Sequence, residues 1–270
     1  MANSTMLSFS IGPLALPARP LLLLIAFGLA VLAGSLAAKR QGRNPESALF
    51  ALLLFGLLVA RVGFVLRYQQ QYQSNWWQAL DVRDGGFWLW PALLAVLLGA
   101  VALAWRKPAL RWTLGLALGT GMVTGLTGLA LIRHLELQQP LPNETLYSLA
   151  GQPASLSQFH GKPLVVNYWA SWCPPCRREM PVLAEAQQHY PDVQFVFVNQ
   201  GEDLMTVANY LQQQKLNLQH VLLAPKGASA VPMTLFFDAS GKLADSHLGS
   251  LSAATLAHYL QQIKSDRSMK

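Results

Sequence analysis

Cys173 and Cys176 are the only cysteines of this 270-residue chain, and two residues separate them. The apolar run Val165–Tyr168 before them predicts a buried β-strand, and Arg177–Met180 after them predicts the start of a helix. This junction places the first thiol at a helix N-terminus, where backbone N–H groups and the helix dipole stabilise a thiolate. The second thiol, one turn further on, can close a disulfide with the first. The pattern therefore predicts thiol–disulfide exchange.

Other uses of the cysteine pair fit less well. A structural disulfide more often joins distant segments, and a four-residue loop adds little entropic stability. A zinc site requires two more ligands, but no second cysteine pair and no paired histidines follow. Covalent haem attachment requires a histidine where Arg177 stands. We therefore expect redox-active cysteines that work without a metal or a cofactor.

The segment around the cysteines resembles a known family. Trp172–Cys176, followed by Glu179 and Pro181, is similar to the active-site signature of the TlpA/ResA-type, membrane-anchored, thioredoxin-like thiol–disulfide oxidoreductases. In this family a cis-proline precedes one strand of the sheet and faces the cysteine pair. Val231–Thr234 resembles that segment. The resemblance covers about Thr145–Ile263 and implies a thioredoxin-like α/β domain.

The resemblance also implies roles for individual residues. Cys173 would be the nucleophile and the more exposed thiol, and Cys176 would resolve the mixed disulfide. The side chains expected to contact the substrate are Trp172, Pro174, Pro175, Val231 and Pro232. Trp172 fits simple packing equally well.

Two features depart from the relatives. Thioredoxin carries a buried aspartate, a proton acceptor for the second thiol, where this chain has Asn167, which cannot take a proton. The acceptor for Cys176 is therefore left unassigned, although the reductase subfamily resembles this chain at that position. The connection Ala224–Ala230 is also shorter than usual, which predicts a more open surface beside the proline.

The first half of the chain predicts a membrane domain. Four apolar stretches approach or exceed the roughly 20 helical residues that cross a bilayer: Pro20–Ala38, Ala48–Leu66, Phe87–Trp105 and Trp112–Ile132. Residues 1–142 contain 11 Lys+Arg against 4 Asp+Glu, whereas residues 143–270 contain 9 of each. The high net charge therefore reflects membrane topology, and nucleic-acid binding is not expected.

The basic residues predict the orientation of the spans. They concentrate between spans one and two and between spans three and four: Lys39, Arg40, Arg43, Arg106, Lys107 and Arg111. The positive-inside rule makes both loops cytoplasmic, so both termini face outward. We expect a multi-pass protein of the bacterial inner membrane with its cysteine pair in the periplasm. Span one alternatively fits a cleaved signal peptide, which would leave the orientation of the rest unchanged.

This half has a weaker resemblance of its own. Phe9–Leu16, Ala60–Leu66 and Asp84–Gly86 look like parts of prolipoprotein diacylglyceryl transferase, over roughly residues 8–105. That enzyme has more spans, and a histidine–glycine motif follows its paired glycines. Here Phe87–Trp90 follow instead. We expect a borrowed scaffold without lipid-transfer activity.

Arg61 and the glycines of the fourth span have two interpretations each. An arginine inside an apolar span is costly unless it is paired. We favour a structural arginine that snorkels to the outer interface over a contact with a lipid headgroup or partner. Gly115 with Gly119, and Gly121 with Gly125, permit close helix packing, within the bundle or in a homodimer.

The predicted organisation is an α-helical membrane bundle of about four spans (1–135), a linker (136–143) and an α/β thioredoxin-like domain (144–270). The predicted function is a membrane-anchored thiol–disulfide oxidoreductase that reduces envelope proteins. The spans contain no cysteine to relay electrons, so a DsbD-like membrane electron donor is expected. The other expected partners are disulfide-containing envelope proteins and membrane lipid. The alternatives are a periplasmic thiol oxidant, a lipid-modifying membrane enzyme with a thioredoxin-like appendage, and a non-catalytic binding module.

Overall fold

The structure is a computed structural model that describes residues 8–11, 14–41, 44–73, 76–137, 141–142, 144–159, 161–225 and 230–265. The chain forms two compact units, one within residues 7–82 and 86–134, the other made mainly of residues 135–270. Arg43 of the first basic loop, and residues 138–140 and 143 of the expected linker, lie outside the described residues.

The first unit is helical. It begins with an antiparallel hairpin, β1 (Ser8–Ile11) and β2 (Leu14–Pro17). Four long helices follow: α1 (Ala18–Gln41), α2 (Glu46–Arg67), α3 (Leu89–Arg106) and α4 (Arg111–Leu137). By length and composition all four are candidates to cross a membrane, which confirms the four apolar stretches predicted from the sequence as candidate spans.

Arg61 in α2 has a structural role in this unit. Its side chain is 8% exposed, and its guanidinium donates hydrogen bonds to backbone oxygens after α2. The acceptors are Ala79 O (3.0 Å), Gly86 O (2.9 Å), Gln78 O (3.3 Å) and Asp81 O (2.8 Å). The structural interpretation holds, but these carbonyls, rather than a snorkelling side chain, compensate the buried charge.

The glycines of α4 confirm only part of the packing prediction. A Cβ at Gly121 would lie 3.2 Å from the Cβ of Ala30, so α1 and α4 approach closely there. No atom of the described residues lies within 4 Å of a Cβ built at Gly115, Gly119 or Gly125, apart from neighbours in the helix itself. For these three glycines, the described residues therefore do not show the predicted close packing within the bundle, and packing in a homodimer stays a prediction.

The second unit is a sheet flanked by helices. Its elements are β3 (Leu146–Ser148), β4 (Pro153–Ala154), β5 (Leu164–Trp169), α5 (Pro174–His189), β6 (Gln194–Gln200), α6 (Leu204–Gln213), β7 (Val221–Ala224), β8 (Met233–Phe237), β9 (Leu243–Leu248) and α7 (Ala253–Ser265). The sheet order is β4-β3-β7-β6-β5-β8-β9. β5, β6 and β7 run parallel, whereas β8 pairs antiparallel with β5 and with β9.

The central strand β5 lies at the middle of the core. Every residue of β5 is buried, as expected for a strand covered on both faces. On one face Val165 and Trp169 pack in a cluster with Met180 and Leu183 of α5. On the other face Val166 and Tyr168 belong to a separate apolar cluster. This arrangement confirms the predicted thioredoxin-like α/β domain and places the end of β5 at its centre.

Candidate active site

The two cysteines lie where β5 passes into α5. Cys173 and Cys176 form a disulfide with a Cα–Cα distance of 5.3 Å. Cys173 is 3% exposed and Cys176 is 0% exposed, so both residues are buried and Cys173 is only slightly the more accessible. A turn bond from Cys173 N to Ala170 O, at 3.3 Å, brings the chain from the strand into the helix.

Cys173 is the N-cap of α5. Its Sγ accepts a hydrogen bond from the backbone N–H of Cys176 at 3.2 Å. Pro174 and Pro175 occupy the first two helical positions, where the missing N–H groups would have had no partner inside the helix. The N–H of Cys176 therefore serves Sγ directly, and the positive end of the helix dipole adds to its effect. A negative charge on Cys173 Sγ is stabilised by this arrangement.

Val231 and Pro232 reach the same edge of the sheet from the next strand. The Val231–Pro232 bond is cis, as the resemblance implied, and it directly precedes β8. Because Met233 pairs with Tyr168, the proline lies beside the end of β5 from which the cysteine loop emerges. Pro232 is buried, and Val231 is half-buried against both apolar clusters.

Trp172 and the two prolines provide the outer surface of the site. Trp172 is 65% exposed, which excludes the packing interpretation. Pro174 is exposed and Pro175 is half-buried. In contrast, Trp169 is fully buried, with its ring centroid 5.4 Å from that of Tyr210. Every residue predicted from the sequence to contact the substrate thus lies at one edge of the sheet, around the disulfide.

A buried carboxyl, which belongs to the resembling signature but received no role from the sequence, lies near the cysteines on α5. Glu179 is 1% exposed and stands three residues after Cys176, so both side chains project from one face of the helix. Its Oε1 accepts from Asn167 Nδ2 at 2.8 Å and its Oε2 from Leu251 N at 2.9 Å. Burial raises the pKa of Glu179 to about 7, while the bonds from Leu251 and Asn167 act in the opposite direction.

Asn167 therefore has a role that its residue type alone did not reveal. It cannot accept a proton, but its Nδ2 donates to Glu179 and also to Thr234 Oγ1, at 3.0 Å. The amide thus links β5, β8 and α5 and orients the carboxyl. The sequence did contain a signal for a buried Glu179. This acidic residue falls on the same helical face as Cys176, Met180 and Leu183, which are all buried.

A second carboxylate holds the loop before the cysteines. Glu202 Oε2 accepts from the backbone N of Ser171 at 2.7 Å, and its Oε1 accepts from the Ser171 hydroxyl. Asn199 Nδ2 also donates to Glu202 Oε2, at 2.6 Å, and Asn199 Oδ1 accepts from Glu202 N at 3.2 Å. The loop that ends at Cys173 is therefore tied to the end of β6.

A thioredoxin-like sheet, a cysteine that caps the helix at its centre and a cis-proline beside that cysteine define the class of thioredoxin-like thiol–disulfide oxidoreductases. Residues 136–260 match the family model described as Redoxin. The chain is 30% identical over 131 residues to the thiol-disulfide oxidoreductase ResA of Bacillus subtilis (strain 168), covering 46% of this chain and 73% of that protein. Through its C-terminal half, the chain belongs to the family of ResA-type thiol–disulfide oxidoreductases.

Two further proteins are similar to part of this chain. The thioredoxin-like protein YneN of Bacillus subtilis (strain 168) is 29% identical over 159 residues, which cover 53% of this chain and 92% of YneN. A crystal structure of a thiol:disulfide interchange protein of the thioredoxin family from Chlorobium tepidum TLS has 27% identity and a TM-score of 0.40. The match covers 46% of this chain and 97% of the Chlorobium tepidum chain.

The helical half is similar to a different family. Residues 6–134 match the family model of prolipoprotein diacylglyceryl transferase. The resemblance seen in the sequence, which ended near residue 105, therefore extends through α4. The chain thus combines a helical region similar to prolipoprotein diacylglyceryl transferase with an oxidoreductase domain.

Proposed function

We propose that this oxidoreductase is a membrane-anchored reductase of disulfides in bacterial envelope proteins, with Cys173 and Cys176 as its redox centre. The observation that carries the proposal is the environment of the pair. Cys173 Sγ receives a helix N–H at the start of α5, and the buried carboxyl of Glu179 lies one turn beyond Cys176. The helix N–H stabilises the thiolate that the nucleophilic Cys173 requires, and the carboxyl can accept the proton that the resolving Cys176 must lose.

The proposed reaction transfers two electrons from the dithiol to a substrate disulfide. The Cys173 thiolate attacks one substrate sulfur, a mixed disulfide forms, and the other substrate sulfur leaves as a thiolate that takes up a proton. Cys176 then gives its proton to Glu179 and attacks Cys173 Sγ. The second substrate sulfur leaves as a thiolate that takes up a proton from Glu179 or solvent, and Cys173–Cys176 is left as the disulfide seen in the structure.

A donor must return the two electrons. The chain contains only the two cysteines of the active site, so its own spans cannot relay electrons through thiols. We therefore propose a DsbD-like membrane protein as the donor. Residues 1–135 would act as the membrane domain, 136–143 as a short tether and 144–270 as the reductase domain held close to that donor.

The direction of electron flow can be tested in cells. The cysteine pair is expected to be mostly dithiol when the donor is present and mostly disulfide when it is deleted. Its potential should lie nearer the roughly −270 mV of thioredoxin than the roughly −120 mV of a strong oxidant. Acid quenching followed by alkylation of free thiols measures the cellular state. A pair that stays oxidised beside its donor, and that an envelope oxidase reoxidises, would instead identify a periplasmic thiol oxidant.

The topology is a separate expectation. Reporter fusions at residues 42 and 108 should give cytoplasmic signals and a fusion at residue 150 a periplasmic one, because six basic residues lie in the two loops proposed to be cytoplasmic. A fusion at residue 75, between α2 and α3, serves as an internal control and should report the periplasm. The reverse set of signals would place the cysteines in the cytoplasm and rule out envelope substrates.

The match of residues 6–134 favours one second candidate, a lipid-modifying membrane enzyme with a reductase appendage. We propose instead that this half binds membrane lipid as a scaffold, since Phe87–Trp90 replace the histidine–glycine motif of the resembling enzyme. Transfer of diacylglycerol to a lipoprotein peptide by the purified chain would support the second candidate.

A further inference from the structure

Three residues from an earlier part of the chain belong to the unit that contains the sheet. Arg83–Gly85 lie between α2 and α3 in the sequence, yet they are part of the same compact unit as residues 135–270. Asp84 ends a short 3-10 turn, Val82–Asp84, and is only 5% exposed. A carboxyl side chain is rarely buried to this extent without partners, so its contacts indicate its role.

Asp84 binds the start of α7. Its Oδ2 accepts a hydrogen bond from Ser252 Oγ at 2.9 Å, and its backbone O accepts one from Thr255 Oγ1 at 3.0 Å. Ser252 Oγ also accepts from Thr255 N at 3.1 Å, so the hydroxyl that caps α7 is the same one that holds Asp84. The positive end of the helix dipole further favours a carboxylate at this position.

The same three residues lie close to the turn between β9 and α7. A Cβ built at Gly249 would lie 4.0 Å from Arg83 O. A Cβ built at Gly85 would lie 3.2 Å from Cε1 of His247, near the end of β9. Arg83–Gly85 therefore contact both ends of the turn segment 249–252, at Gly249 and at Ser252.

The segment 249–252 also bonds directly to the redox site. Gly249 N donates to Pro232 O at 2.9 Å, and Leu251 N donates to Glu179 Oε2 at 2.9 Å. Leu251 is 4% exposed and packs in the apolar cluster that contains both cysteines. Four consecutive residues thus connect the cis-proline and the buried carboxyl to Asp84.

We propose that Asp84 is a positioning residue of the redox site, which fixes Ser252 and thereby holds the N–H of Leu251 on Glu179. The proposal rests on the proposed reductase function and deepens it, because Glu179 is the group that takes the proton from Cys176 in that reaction. Burial raises the pKa of Glu179, and the Leu251 bond lowers it. Loss of the Asp84 side chain should weaken the Leu251 bond and so move the ionisation of Glu179 to higher pH.

The other titratable groups near Glu179 do not produce such a shift. Those on the same side of the sheet are the two cysteines, Tyr190, Tyr210 and Tyr259 around the apolar cluster, and Asp245 and His247 on β9. Of these side-chain types only histidine ordinarily titrates close to pH 7. Burial lowers the pKa of His247, whereas a bond with Ser250 and the charge of Asp84 act in the opposite direction. Loss of that charge would therefore move the titration of His247 to lower pH.

The test measures release of a fluorescent peptide from its mixed disulfide with Cys173, between pH 5 and pH 9, on the full-length protein in detergent micelles. Asp84→Ala should raise the pH of half-maximal rate by about half a unit and lower the rate at pH 7 about twofold. Asp84→Asn, which can still accept from Ser252, should keep the wild-type profile. Asp81→Ala is the matched control, since this aspartate lies three residues earlier and is exposed, and it should change nothing.

Ser252→Ala removes the same contact from its other side, and it keeps the proposal testable if Asp84→Ala does not fold. It should raise the half-maximal pH as Asp84→Ala does. The double variant should shift it no further, because the two side chains act through one contact.

Each contrary outcome has a defined meaning. A wild-type half-maximal pH in Asp84→Ala would overturn the proposal, as would an equal shift in Asp84→Asn, which would assign the effect to charge alone. Slower release at every pH without a shift would indicate a merely structural role and also overturn it. A wild-type profile that Glu179→Gln leaves unaltered would refute the assigned proton acceptor and this proposal together. A wild-type chain that reduces no disulfide peptide would instead refute the proposed function.

Discussion

A Cys176→Ser chain is expected to accumulate mixed disulfides with its protein partners, whereas a Cys173→Ser chain should accumulate almost none. Cys173 caps α5 and its Sγ receives the Cys176 N–H, so it has the means to attack as a thiolate. A serine at 176 keeps that N–H but cannot displace the partner from Cys173. The trapped intermediate should therefore persist, with at least about tenfold more partner bound than in the Cys173→Ser chain.

The measurement is affinity purification of each full-length variant after alkylation of free thiols, followed by non-reducing and reducing gels. The double variant Cys173→Ser with Cys176→Ser provides the background. Both single variants should also lose disulfide reductase turnover to the background level. Equal trapping by the two single variants would show that the assigned roles of the thiols are wrong. Trapping by Cys173→Ser alone would reverse them.

Replacement of Glu179 by glutamine is expected to remove a pH-dependent step from the resolution of the mixed disulfide. Burial raises the pKa of this carboxyl to about 7, so it changes from acid to base near neutral pH. In the wild type, resolution by Cys176 should accelerate as the pH rises through about 7, because ionised Glu179 can then accept the Cys176 proton. Glu179→Gln should be slower by about tenfold at pH 8 and should lack the step near pH 7.

Stopped-flow release of a fluorescent peptide from a preformed mixed disulfide reports this step directly. Glu185→Gln is the matched control, since Glu185 lies on the same helix α5 but is exposed. It should keep the wild-type profile. A Glu179→Gln chain with an unchanged profile would show that another group accepts the proton.

The same carboxyl should also couple the stability of the sheet domain to pH. Its folded-state pKa of about 7 lies above the ordinary value of 4.5, so between these values the folded chain retains a proton that the unfolded chain has lost. Stability from this group is therefore present below about pH 4.5 and declines as the pH rises to about 7, by about 3 kcal/mol in total. Pulse proteolysis at pH 5 and pH 8 should show a smaller difference for Glu179→Gln than for the wild type.

The sequence alone predicted the long helices, the strand-to-helix junction at the cysteines and the cis-proline. The apolar stretches predicted the four long helices, because crossing a bilayer demands about 20 apolar residues whatever the tertiary contacts. The apolar run before Cys173 and the cysteine spacing predicted the strand-to-helix junction, since both features are encoded within a few residues. The resemblance around Val231 correctly implied the cis bond.

The tertiary structure alone decided which groups support the cysteines. Glu179 belongs to the resembling signature, but the sequence assigned it no role, because its raised pKa arises from burial that only the folded chain creates. Its bond from Leu251, 72 residues away, likewise depends on the fold. Glu202 reaches Ser171 across 31 residues because parallel strands bring their ends together. Likewise, only the folded chain brings Arg61 to the backbone carbonyls after α2 that accept its hydrogen bonds. The same holds for Gly115 and Gly119, where no atom of another described helix lies within 4 Å of a built Cβ. Periodicity and spacing determine elements, whereas burial, hydrogen-bond partners and the resulting protonation depend on residues that only the folded chain brings together.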